Sequence, residues 1–134
     1  MSILIGDRSK HYLLLLPREP RTPERKLVFR IQAGTEAFQA DIPASIDSQS
    51  LADMFNAVRD LEQRQVGEFT LISCQQEIWM TLTGDGNGRF AAHCTLRDIS
   101  CSHAQMRFDI ELNEEQLHAI HTELQQVLAQ IGVR

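Results

Sequence analysis

Gln105-Met106-Arg107-Phe108-Asp109-Ile110-Glu111-Leu112 alternates polar and apolar side chains without a break. Successive side chains of an extended strand point to opposite faces. Met106, Phe108, Ile110 and Leu112 therefore face a core, and Gln105, Arg107, Asp109 and Glu111 face outward. Clean alternation of this kind marks a strand of an antiparallel sheet with one covered face. Asn113-Glu114-Glu115-Gln116 follows at once and reads as a helix start. Asn113 can cap, Gln116 can reach back, and the two glutamates sit at the positive end of the helix dipole. Leu117, Ile120, Leu124, Leu128 and Ile131 then form one apolar stripe, and Gly132 ends the helix.

Upstream, Phe90, Ala92, Cys94 and Leu96 share one face of a returning strand. Gly84-Asp85-Gly86-Asn87-Gly88 before it is a hairpin signal, because these residues tolerate positive φ. Strands around Phe69-Thr70-Leu71-Ile72 and Ile78-Trp79-Met80-Thr81-Leu82 precede the hairpin. A first helix lies before them. Leu51, Met54, Phe55, Val58 and Leu61 fall on one face, and Asp47, Ser48 and Ser50 offer caps. Ser50-Leu51-Ala52-Asp53 has the form of an acidic-ended capping box, and Gly67 interrupts the pattern.

Earlier still, Tyr12 to Leu16 is a short apolar run. Leu27, Phe29, Ile31 and Ala33 alternate, Gly34 permits a turn, and Phe38, Ala40 and Ile42 alternate again up to Pro43. Pro17 to Pro23 holds three prolines and reads as a solvated loop. There is no internal sequence repeat. The expected architecture is α+β, mainly β: an antiparallel meander sheet with one central and one C-terminal helix packed against it, in a single domain over residues 1–134.

Composition bounds the function. The 134 residues are 43% hydrophobic and 23% charged, which is ordinary for a globular domain. The run at Tyr12–Leu16 is too short for a signal core or a membrane span, so the expectation is a cytoplasmic protein without a membrane partner. Three cysteines, Cys74, Cys94 and Cys101, show no pairwise motif, which argues against a disulfide framework. Cys74 and Cys94 read as small buried hydrophobes.

The net charge of −5 is uneven. Residues 1–30 hold seven basic side chains against three acids, and the remainder holds six against fifteen. An acidic body repels nucleic acid and favours basic partner surfaces.

Enzyme chemistry finds little support. His93 and Cys94 are adjacent on a strand, so they point to opposite faces and cannot act as a nucleophile pair. His103 and Cys101 share a face only if their stretch is extended. His118 and His121 are helix-surface neighbours, but no cysteine or carboxylate motif completes a zinc set around them. The Gly84–Gly88 run is followed by a strand, whereas phosphate loops lead into a helix. The expectation is therefore no catalytic residue, no metal site and no cofactor. The outward charges Arg107, Asp109 and Glu111, with Asp98 and the lone tryptophan Trp79, are the candidate contact residues for a protein partner.

The order of these elements carries a resemblance. Ser50-Leu51-Ala52-Asp53-Met54-Phe55 opens a helix, Gly67-Glu68 follows, and Trp79 and Leu82 lie on a short strand before the glycine-rich hairpin. Ala91-Ala92-His93-Cys94-Thr95-Leu96-Arg97-Asp98, Met106-Arg107-Phe108-Asp109-Ile110-Glu111 and Glu115-Gln116-Leu117 complete the series. Over residues 28–131 the chain resembles the WapI-type immunity proteins of bacterial polymorphic-toxin systems and an uncharacterised family close to them. The resemblance implies a cytoplasmic, non-enzymatic protein that neutralises a cognate toxin domain by protein–protein contact. An acidic inhibitor suits a basic nuclease toxin, because steering raises its association rate. A structural or adaptor protein, including a homodimer, is the alternative, and a small-molecule-binding domain comes third.

Overall fold

The computed structural model describes residues 2–18, 26–99 and 104–131. The strands are β1 (Ile3–Gly6), β2 (Tyr12–Pro17), β3 (Lys26–Gly34), β4 (Gln39–Asp47), β5 (Val66–Ile72), β6 (Ile78–Asp85), β7 (Phe90–Arg97) and β8 (Gln105–Leu112). Helix α1 (Ser48–Arg64) joins β4 to β5, and α2 (Glu114–Ile131) follows β8. The antiparallel meander is borne out, divided into two four-stranded sheets, β1-β2-β3-β4 and β5-β6-β7-β8. Each sheet is followed by one helix. The topology is thus repeated although the sequence shows no repeat. Different side chains fill the two halves, and a meander needs only alternation and turns.

The alternation of β8 stands as read. Phe108, Ile110 and Leu112 are buried, and Arg107, Asp109 and Glu111 are exposed. Phe90, Ala92, Cys94 and Leu96 of β7 are buried beside them. The inner faces of both sheets and the apolar stripes of both helices form one core cluster, which includes Phe29, Ile31, Met54, Val58, Met80, Ile120 and Leu124.

The helix ends follow from local chemistry. Asn113 and Gln116 form the reciprocal cap: Asn113 N donates to Gln116 Oε1 at 2.9 Å, and Gln116 N donates to Asn113 Oδ1 at 2.8 Å. In α1 the cap is Asp47, whose carboxylate accepts from Gln49 N at 2.8 Å. The Ser50–Asp53 box does not form, because the helix already begins at Ser48 and Asp53 instead accepts from Gln49 Nε2. The helix closes at Gln65, which takes a left-handed conformation with φ 65°.

Other differences have physical causes. β1 is four residues long and escapes any periodicity argument; it is found through its pairing with β2. β4 runs through Pro43, which an edge strand tolerates because no neighbour needs its missing N–H. Phe38 does not share the buried face of Ala40 and Ile42. It precedes the strand, in the turn where its carbonyl accepts from Thr35 N, and is 69% exposed. Cys74 is exposed, since it sits in the β5–β6 turn and not on a strand face. Cys101, His103 and residues 19–23 of the proline-rich loop lie outside the described residues.

The sheets meet where β1 approaches β8. His11 Nδ1 lies 2.9 Å from the Asp109 carbonyl oxygen, and the β1 edge is engaged by α2 through Leu4 N donating to Glu123 Oε1 at 2.7 Å. An edge strand covered in this way is protected from stray pairing.

Candidate functional site: the outer face of the second sheet

The ladder of the second sheet brings four of the five candidate contact residues to one face. Ile72 pairs with Trp79, Trp79 with Thr95, and Thr95 with Arg107. The next outward row is Thr70, Thr81, His93 and Asp109. The third is Glu68, Thr83, Ala91 and Glu111. Three rows, each crossing four strands, thus present an apolar end, a hydroxyl-rich middle and a charged edge along β8.

Trp79 is 46% exposed and Ile72 37%. The two form an exposed apolar pair, and the charges of β8 lie two strands from Trp79 on the same face. Thr70 and Thr81 share a hydroxyl–hydroxyl hydrogen bond of 3.0 Å, which holds the middle row rigid. His93 Nδ1 lies 2.7 Å from Asp109 Oδ1.

Asp98 stands apart from this face. It is half-buried just beyond β7, its N–H donates to the Ala104 carbonyl at 2.9 Å, and it lines an open cleft with Phe38, Ile42, Leu96 and Met106. Sequence reasoning did not place Ile72, His93 or the threonines among the contact residues. Each belongs to the outward set of its strand, and only the register shows that these sets align.

The chemistry of the remaining candidates is explicit. Burial, with the Asp109 charge as the lesser cause, pushes the Cys94 thiol up to about 12, so it holds its proton and is no nucleophile. His93 is exposed on the opposite face, as alternation requires. No carboxylate motif accompanies the histidines of α2 in the sequence, yet the fold brings a carboxylate to both. Glu62 of α1 places Oε2 2.9 Å from His118 Nδ1 and Oε1 2.6 Å from His121 Nδ1. No sequence motif could show this, because the partners are 56 and 59 residues apart. Among the described residues, no helix is long and apolar enough to cross a membrane.

Comparison with known proteins places this geometry in context. The model of a family described as the immunity protein WapI-like family matches residues 8–132. No curated protein matches the chain. Among solved structures, a chain from the crystal structures of Trypanosoma bruciei MRP1/MRP2 is similar, with a TM-score of 0.58 over 98% of this chain and 84% of that one. At 13% identity that likeness speaks to the fold alone.

Proposed function

Because the chain belongs to the WapI-like immunity protein family, we propose that it binds a cognate bacterial toxin domain in the cytoplasm and neutralises it by protein–protein contact, without catalysis. The observation that carries this reading is the exposed outer face of β5–β8. Trp79 and Ile72 supply the apolar anchor, and Arg107, Asp109 and Glu111 supply a charged rim. Anchors of this type, surrounded by polar contacts that exclude water, carry most of the binding energy in protein interfaces. The face is built on a hydrogen-bonded sheet, so little ordering cost accompanies docking.

The acidic balance suits a basic toxin, such as a nuclease whose cleft binds phosphates. Against such a partner the inhibitor gains association rate from long-range attraction. The test is co-expression with candidate toxin domains, followed by co-purification. Restored growth and a one-to-one complex, both lost in Trp79→Ala, support the reading. Undiminished toxicity with the chain eluting at twice its mass would favour a homodimeric adaptor instead.

A further inference from the structure

Helix α2 carries His118 and His121 three residues apart, so both rings leave the same side of the helix. Where α1 crosses it, Glu62 reaches across and meets both. The carboxylate uses one oxygen for each ring, at 2.9 Å and 2.6 Å, and the three ligand atoms lie within 4.8 Å of one another. His121 and Glu62 are partly buried, with side chains 23% and 24% exposed, while His118 is 68% exposed. The Phe55 ring packs edge-on against His121 with centroids 4.9 Å apart, which fixes that imidazole. An open depression lined by Glu62, Gln65, Phe90, Glu115, Leu117 and His118 leads to the cluster.

We propose that Glu62, His118 and His121 form a binding site for a divalent cation of the zinc type, joining the two helices. Two imidazole nitrogens and one carboxylate oxygen are the donor set that a borderline-soft first-row cation prefers, and a hard cation such as calcium would demand more oxygens. Bond lengths of about 2.0–2.2 Å in a tetrahedral shell place donors about 3.4 Å apart, so the present contacts need only open slightly. Each imidazole would offer its Nδ1 lone pair and keep its proton on Nε2. The Glu62 charge, with Glu114 and Glu115 at the start of α2, favours the cation electrostatically. Three protein ligands leave a fourth position open toward the depression. The site lies on the helices, away from the outer face of the second sheet, and does not depend on the toxin-binding reading.

The test uses the full chain, purified without a histidine tag, stripped with a chelator and titrated with zinc chloride by calorimetry. One ion per chain is expected, with a higher Tm in zinc than in chelator. Glu62→Gln, His118→Ala and His121→Ala should each weaken binding by more than about tenfold, the loss already typical of changes outside the ligand shell. His93→Ala should bind zinc as the unchanged protein does. Absence of stoichiometric binding, or binding that survives His118→Ala, would overturn the site. His118 is exposed, so its substitution leaves the fold intact even if His121→Ala does not.

Discussion

His93 Nδ1 lies 2.7 Å from Asp109 Oδ1, directly across the β7–β8 ladder on the exposed outer face. The neighbouring pair in the same ladder, Cys94 and Phe108, points the other way into the core. One residue of displacement would exchange the two pairs between water and the interior. This gives the first prediction. Phe108→Ala should destabilise by about 3–5 kcal/mol, as buried aromatic truncations do. Asp109→Ala removes only an exposed pair and should cost about 0.5 kcal/mol or less. Urea titration of both variants measures this; equal losses would refute the register.

The contrast shows what was legible in the chain before its structure. The β8 alternation and the Asn113–Gln116 cap are local patterns, and both appear as read. Local pattern also told which residues of each strand face outward, which is why Trp79, Arg107, Asp109 and Glu111 share a face. It could not tell which outward residues become neighbours. The pairing of Asp109 with His93 depends on register, and that of Glu62 with His118 on a helix crossing. The division into two sheets depends on long-range closure, and Phe38 was misplaced because a strand boundary cannot be read from alternation alone.

The seam between the sheets yields the second prediction. Gly6 has φ +98°, and a Cβ there would lie 2.6 Å from Ile110 Cγ2 and collide with the His11 carbonyl oxygen. Gly6→Ala therefore meets both backbone strain and a clash with β8. At Gly86, with φ +87°, a Cβ meets only Val66 Cβ at 3.9 Å. Strain alone costs about 1–3 kcal/mol. Gly6→Ala should lower stability clearly more than Gly86→Ala in thermal or urea unfolding. Equal losses would show that the β1–β8 contact is soft.

Cys94 supplies the third. Its folded pKa is pushed up to about 12 by burial, whereas an unfolded cysteine titrates near 8.5. Between those values the unfolded chain has lost a proton that the folded chain keeps, so stability from this group falls as pH rises. The slope is about 1.4 kcal/mol per pH unit above about 8.5, and the contribution is complete below that. Cys94→Ala removes the slope but adds a constant cavity cost. The stability difference between the unchanged protein and the variant should therefore shrink from pH 8 to pH 10. Iodoacetamide with peptide mapping should also label exposed Cys74 in the native state and spare Cys94. A constant difference, or native labelling of Cys94, would contradict this account.

The last prediction concerns steering. Asp109 and Glu111 are successive outward acids on β8, and Arg107 precedes them on the same face. Rim charges act chiefly on encounter, so Asp109→Lys with Glu111→Lys should slow association with a basic toxin domain and flatten its salt dependence. Dissociation should change less, because the anchor is apolar and lies on β5 and β6 of the same face, at Ile72 and Trp79. Trp79→Ala should show the reverse, faster dissociation with association nearly kept. The fold should tolerate the double reversal, since both side chains point away from Phe108 and Ile110. The competing source of attraction is the helices. Together α1 and α2 hold six acids against two arginines, a greater excess than β8 offers. Stopped-flow association at low and high salt separates the two. If reversal on β8 leaves the rate unchanged while Asp53→Lys with Asp60→Lys slows it, the toxin approaches the helical side, and the outer face of the second sheet is not its docking surface.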